Sequence, residues 1–362
     1  MPGEHTLQRF TRVEFAAPRY LAPPAVGIDI SASGIKLAVI KERLHGLELV
    51  DYGDGRLELG TMNGGEIADR KAVIEAVRSL AKEHHVRYAY IALSESRSYL
   101  FEADVPGTTK AEWRTAVEAH IDEYVPLPPA EILFDITKTD QKPEATHVVG
   151  IAYATRLIEE SLSVLDEAGI VATAVESETF SLPRALLPIG DTDTVLIIDL
   201  GRTTTKLVIV EKRVPRFATT LDIGGHALTL AVQKYFNVTE EEAKRVKAER
   251  GLVGGPGNEE YLAAMLSTVS VIREEIARRV SYWQTRTAES GHAPISRAIL
   301  VGGNATVRGL PEYLEANLQL PVGLGDVFTN LASRDHWLPP IDYMESLAYG
   351  TAIGLALRDY DG

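Results

Sequence analysis

The chain of 362 residues contains no cysteine, which excludes disulfide staples and thiolate metal sites and fits a reducing compartment. No apolar run approaches the roughly 20 residues of a membrane-spanning helix, and the N-terminus lacks the apolar core of a signal peptide. Basic residues are few: 37 Lys and Arg stand against 51 Asp and Glu, a formal net charge of −14. That deficit argues against nucleic acid, whose phosphates need a basic footprint, and against a polybasic grip on anionic lipid. No His or carboxylate cluster has metal-ligand spacing, and His84-His85 reads as the end of a surface helix. What is present, 45% hydrophobic and 24% charged residues, is the composition of a globular protein, and the length points to two domains.

The most informative stretch is VLIIDLGRTTTKLVIV. An apolar run (Val195 to Ile198) ends in Asp199, a turn of Gly and hydroxyl residues follows, and a second apolar run begins at Leu207. This predicts a β-hairpin with a polar tip. Gly201 permits close approach of a ligand, and Thr203 and Thr204 bring N–H and O–H donors to one point, which suits phosphate oxygens. The acidic residue beside the tip suits Mg²⁺. The stretch has a double: GIDISASGIKLAVI carries Asp29, the tip Ser31-Ala32-Ser33-Gly34, and Lys36. Asp29 to Lys36 and Asp199 to Lys206 each span seven positions, and the copies lie 170 residues apart. Two phosphate-type hairpins at that separation predict a duplicated architecture facing one ligand.

Along the chain, residues 1–24 read as an extended lead-in. Three strands follow, then a helix over 67–83 from its apolar spacing, then a strand at VRYAYIAL. Lys110 to Tyr124 is expected to be one amphipathic helix with Trp113, Val117, His120, Ile121 and Tyr124 on one face, stopped by Pro126, Pro128 and Pro129. A strand pair, a helix closed by Gly169 and the strand IVATAVE complete an α/β insert expected over about 101–176 with its own small core. A helix over 176–187 leads to the second hairpin. LDIGGHAL then reads as a strand meeting a helix at Gly224-Gly225, where a helix N-terminus favours an anion. Thr239 and Glu242 form a capping-box signature, and 261–284 reads as a long core-facing helix. LVGGNATVRGL places Gly302, Gly303 and Asn304 at a strand C-terminus, where α/β folds put ligands. The small residues of 343–358 predict a closely packed last helix.

The paired hairpins, the LDIGG turn and the late VGGNA turn, in this order, resemble the actin-like ATPase superfamily. The insert position and the stretches AEWRTAVEAHIDEYVPLPPAEILFDI, AVESETFSLPRALL and EEAKRVKAERGL are similar to the FtsA and PilM branch, and to PilM in particular, over about residues 25–358. The resemblance implies a duplicated two-domain, ribonuclease H-like α/β fold. Subdomain 1A would take 25–100 and 177–194 with the helix 341–358; subdomain 1C, 101–176; 2A, 195–236 and 286–340; 2B, 237–285. It also implies ATP and Mg²⁺ as ligands. Asp29, Ser31, Ser33, Gly34 and Lys36 of one tip, with Asp199, Gly201, Arg202, Thr203, Thr204 and Lys206 of the other, would cradle the β- and γ-phosphates. Asp29 and Asp199 would hold Mg²⁺ through water. Gly224, Gly225, Gly302, Gly303 and Asn304 would border adenosine, with Lys247 near the ribose. Glu178, or Glu176, would orient a hydrolytic water.

Three departures stand out: Ser31 where the family has Gly, Arg202 where small residues are usual, and Ala243-Lys244 where Ala-Glu is usual. They direct the expectation toward ATP binding with weak or absent hydrolysis. The implied role is assembly: a cytoplasmic protein of a type IV pilus or related secretion platform. It would be peripheral to the inner membrane, bind the cytoplasmic tail of a single-span PilN-like partner, and itself lack direct membrane insertion and nucleic-acid binding. Self-association into a homo-oligomer stays open. So do two other readings, a sugar- or acetate-kinase-like phosphotransferase and an FtsA- or MreB-like filament-forming ATPase.

Overall fold

The computed structural model describes residues 24–360; the expected lead-in therefore lies outside the described residues, apart from Pro24. The first half begins with β1 (Ala25–Ser31), β2 (Gly34–Arg43) and β3 (Gly46–Gly55), a meander of antiparallel strands. A small hairpin, β4 (Met62–Asn63) and β5 (Glu66–Ile67), precedes α1 (Arg70–Glu83). The helix starts three residues later than its apolar spacing suggested, because the Asp69 side chain accepts the Ala72 N–H at 3.0 Å and Ile67 belongs to β5. At its other end His84 caps α1 and its Nδ1 meets Asp51 at 2.8 Å. Strand β6 (Tyr88–Leu93) then pairs parallel to β1.

The insert follows: β7 (Ser98–Val105), α2 (Lys110–Glu118), α3 (Ile121–Tyr124), β8 (Ile132–Gln141) and β9 (Thr146–Ala154). Its sheet has the order β7-β9-β8, and Phe101, Trp113, Val117, Ile121 and Val148 form its own core. The single helix expected over 110–124 is broken between α2 and α3. His120, expected on the buried face, is exposed at the break. The segment that comes next, α4 (Thr155–Ala168) and β10 (Val171–Ser177), joins the first half rather than the insert. Strand β10 pairs with β6, and Val164 and Leu165 pack with Val73 and Val77 of α1.

Helix α5 (Glu178–Leu186) leads into the second half. There β11 (Thr194–Leu200), β12 (Thr205–Glu211) and β13 (Val214–Leu221) form another antiparallel meander. Helices α6 (Gly225–Phe236), α7 (Glu240–Arg250) and α8 (Glu259–Ser290) come next, then β14 (Arg297–Val301), α9 (Leu310–Leu318) and β15 (Val322–Leu324). The chain returns through α10 (Tyr343–Ser346) and α11 (Gly350–Ala356).

The two five-stranded sheets have one topology. Read from the meander edge they run β3-β2-β1-β6-β10 and β13-β12-β11-β14-β15, with parallel pairing after the third strand in each. Even the hairpin register repeats, with Asp29 opposite Lys36 and Asp199 opposite Lys206. Strands buried on both faces explain the unbroken apolar runs read from the sequence. Helix α11 crosses the first sheet so closely that a Cβ on Gly27 would lie 2.0 Å from the Ala352 carbonyl. One on Gly354 would lie 1.9 Å from the Ser181 carbonyl of α5.

A buried charge network joins the insert to the second half. Glu102 of β7 meets Arg216 of β13 at 3.2 Å, Arg286 of α8 at 3.0 Å and His292 at 3.3 Å. His292 and Arg216 both reach Glu211 of β12, at 3.1 and 3.5 Å. The Arg216 side chain is only 6% exposed, so these charges rely on one another rather than on water.

Candidate functional site

The two hairpin tips face each other across a cleft of about 1290 Å³ between the halves. Of the residues expected there, Asp29, Ser31, Ser33, Lys36, Glu178, Asp199, Gly201 to Thr204, Lys206, Gly225, Lys247 and Gly302 to Asn304 all line it. Gly34 and Gly224 do not. Gly34, at φ +120°, packs its bare Cα toward the Gly55 carbonyl, and Gly224 packs against the backbone of Thr203 and Thr204. These glycines let the tips be built; they do not face a ligand.

The floor of the cleft is acidic. Asp29, Asp199 and Glu178 surround the Lys206 ammonium, which is ion-paired to Glu178 and lies 3.8 Å from Asp199. Burial raises the Asp29 carboxyl to about 7, against the opposing pull of Lys206. Burial raises Asp199 as well, again opposed by Lys206 and helped by Glu178. Burial alone would lower the Lys206 ammonium, but the carboxylates of Glu178, Asp199 and Asp29 outweigh it and hold it charged. Lys206 thus serves three acids, with Lys36 acting on Asp29 more weakly. Among the described residues no three His, Cys, Asp or Glu side chains converge tightly enough to ligate a metal directly.

Glu178 is not a free base. Its Oε1 accepts the Glu95 N–H at 2.7 Å, and its Oε2 is held by Lys206. Glu176, the other candidate, is locked by a two-pronged pair with Arg184 at 2.6 and 2.9 Å. Lys36, expected on a phosphate, lies over the Tyr349 ring and is paired at 2.7 Å with Asp54, its cross-strand neighbour on β3.

The second tip is held from behind. The first amides of α6, Gly225 and His226, donate to the carbonyls of Gly201 and Arg202 at 3.0 and 2.8 Å. The helix N-terminus expected to face an anion therefore caps the tip instead. Asn304 donates from Nδ2 to the Gly201 carbonyl at 2.9 Å and accepts from Lys247 at 2.8 Å. The Lys247 ammonium also donates to the Gly225 carbonyl and the Thr229 hydroxyl, at 3.1 and 3.0 Å. Its three donors are thus satisfied by three acceptors, so it braces the tip rather than waiting for a ribose. Burial, with Lys244 nearby, lowers it to about 8. What the tip leaves open are the amides and hydroxyls of Thr203 and Thr204, which bond to no other described residue. Gly303 is open to the cleft too, with only Ala348 Cβ near it at 3.8 Å.

Sequence reasoning missed Glu95, which follows β6 and is buried beside the floor, where it accepts from the Thr220 hydroxyl. Burial raises it to about 7, the Thr220 hydrogen bond working against this and the Glu178 charge with it. No motif marks it; only the meeting of β6 and β13 brings it there. Asp54 was missed for a similar reason, since its place opposite Lys36 depends on the β2–β3 register.

Solved structures of the same shape include the PilM-PilN type IV pilus biogenesis complex, at TM-score 0.75 and 22% identity over 94% of this chain and 99% of that one. MreB5 of Spiroplasma citri bound to ADP matches at TM-score 0.55 and 15% identity, over 94% and 99% of the two chains. The ethanolamine utilization protein EutJ from Carboxydothermus hydrogenoformans matches at 0.51 and 17%, over 98% and 97%. These likenesses establish the actin-like fold that the duplicated sheets and facing hairpins describe. The sequence itself matches the type IV pilus assembly protein PilM family over residues 27–360. With that match spanning both halves, the insert and the cleft, the chain belongs to the PilM family of type IV pilus assembly proteins.

Proposed function

We propose that the protein is an actin-like component of a type IV pilus or related secretion platform that binds Mg²⁺-ATP in the cleft and docks the cytoplasmic tail of a single-span, PilN-like partner. The observation that carries the nucleotide half is the pair of duplicated hairpins over one acidic floor. The donor set fits the ligand: Thr203 and Thr204 offer open N–H and O–H groups for phosphate oxygens. Asp29 and Asp199 fit a hydrated Mg²⁺, which keeps several waters and would answer the excess of acid on the floor. Gly303, with only Ala348 Cβ near it at 3.8 Å, would leave room for a nucleoside. Hydrolysis is expected to be weak or absent, because both oxygens of Glu178 are engaged.

The partner half rests on family membership and on a small groove of about 40 Å³ in the first half, bordered by Tyr153 of the insert. Ile30, Met62, Leu93 and Leu157 give it an apolar lining, and Glu66, Arg97 and Glu160 add charge of both signs. A groove of that size would seat one apolar side chain of an extended or helical tail, with the charged groups beside it meeting charges on the tail. No helix among the described residues is long and apolar enough to cross a membrane; in this reading the partner's tail is what holds the protein at the inner membrane.

Capture by an immobilised partner tail, alongside calorimetric titration with Mg²⁺-ATP, tests this reading. Both ligands are expected to bind near one per chain. Ser161→Arg, which fills the groove from α4 without touching the core, is expected to weaken tail capture at least tenfold while the fold is kept. Phosphorylation of a sugar or carboxylic acid at ordinary turnover, or tail capture indifferent to Ser161→Arg, would overturn it.

A further inference from the structure

Arg202 is the one cation in either hairpin tip (residues 31–34 and 201–204), and nothing in the proposed function uses it. Its surroundings are specific. Its amide donates to the Ser33 hydroxyl of the opposite tip at 3.0 Å, and its guanidinium donates to the Leu57 carbonyl of the first half at 3.2 Å. Its own carbonyl is fixed by the His226 amide at 2.8 Å. The backbone of the residue is thus pinned to α6 while its side chain crosses the cleft. Among the described residues the side chain has no ion-pair partner: its acceptor is a neutral carbonyl, and the Glu240 carboxylate, which it helps to lower, is engaged at 2.7 Å by Lys244. A guanidinium bound only to a neutral acceptor gains from exchanging it for a charged oxygen, and phosphate suits its planar fork.

We propose that Arg202 is a latch between the two halves that also reads the terminal phosphate of a nucleotide, releasing the Leu57 carbonyl to bind that phosphate; the sensing role rests on the nucleotide reading of the cleft, the latch does not. Without nucleotide, Arg202 ties the second tip to Ser33 and Leu57 and holds the cleft narrow. A phosphate entering between the tips takes over the Ser33–Arg202 contact and meets the guanidinium. A diphosphate, one phosphate shorter, leaves more of the Leu57 contact in place. The preference for three phosphates over two therefore comes from this side chain, and the family's usual small residue at the position cannot supply it.

The absence of cysteine makes a clean test available. Glu58 and Glu241 are exposed residues on opposite sides of the cleft, and cysteines introduced there by E58C and E241C can carry a pair of spin labels. Interspin distances are measured without nucleotide, and Kd values for Mg²⁺-ATP and Mg²⁺-ADP are measured by calorimetry, for Arg202, R202A and R202K. In R202A the nucleotide-free distance distribution is expected to lengthen and broaden. The ATP-over-ADP preference is expected to fall about tenfold, with ADP affinity falling less than twofold, and R202K is expected to recover only part of each effect. Unchanged distances overturn the latch. Equal losses for ATP and ADP overturn the phosphate reading. Failure of the unsubstituted chain to bind either nucleotide overturns the nucleotide reading and the sensing role with it, while the distances still decide the latch. Should R202A not fold, R202K and Arg202→Gln supply the same comparisons.

Discussion

Glu95 does not line the cleft, yet its buried carboxyl makes the stability of the fold depend on pH. Burial holds its carboxyl at about 7 against an ordinary value of 4.5. The folded protein therefore keeps a proton that the unfolded chain releases, and stability falls as pH rises from about 4.5 to 7, then stays lower. Asp29, raised to about 7 from 3.8, acts in the same direction. Glu95→Gln removes one of these charges. At pH 8 the variant is expected to be more stable by on the order of 3 kcal/mol, and at pH 4 to match the unsubstituted protein. Urea unfolding at the two pH values checks this; an equal change at both would assign the effect to the Thr220 hydrogen bond instead of the charge. At this scale the sequence was only partly legible. The hairpin residues were visible because their spacing repeats. Their partners were not, since Lys36–Asp54, Lys206–Glu178 and Lys247–Asn304 join residues that only tertiary structure brings together.

Among the elements, the N-terminus of α6 carries the most consequence. A dipole end available to an anion was a fair expectation from Gly224-Gly225, but a hairpin carbonyl is also a partner for orphan amides, and the fold brings the Gly201 and Arg202 carbonyls within reach of them. The glycine at 225 is needed for a different approach: a Cβ there would lie 1.9 Å from Asn304 Cγ. Gly225→Ala is expected to displace Asn304 from the Gly201 carbonyl and cost about 1–3 kcal/mol by overpacking. Gly225→Ala/Asn304→Ala is expected to recover part of the loss, which thermal unfolding of the single and double variants measures; strict additivity would show that the two do not meet. Elements with a strong local signal, such as the Thr239–Glu242 capping box and the 3–4 spacing of Met265, Val269, Ile272 and Ile276, could be read directly. Where one apolar pattern ran across two elements, as at Ile67 and around His120, periodicity could not see the break.

For the whole molecule, duplication was the most legible property, because two hairpins seven positions deep predict two sheets, and the sheets repeat strand for strand. The insert's allegiance was not legible. Its charged contacts reach across to the second half through Glu102, a residue with no local signature. Glu102→Ala leaves Arg216 buried without its closest carboxylate and is expected to destabilise by about 3–5 kcal/mol, with protection of amides in β7 and β13 against hydrogen exchange lost together. Loss confined to the insert would show that it is not coupled to the second half.

The Glu102 network also fixes what kind of machine the molecule can be. First half, insert and second half are joined in pairs: the first two by continuous chain, the insert and second half by ions, and the two halves by α5 and the tips. Two bodies on one joint can swing freely, whereas three bodies joined in a triangle are rigid until one side gives way. Any wide opening of the cleft must therefore stretch or release the ionic side, so a ligand bound between the tips as proposed would also load the insert.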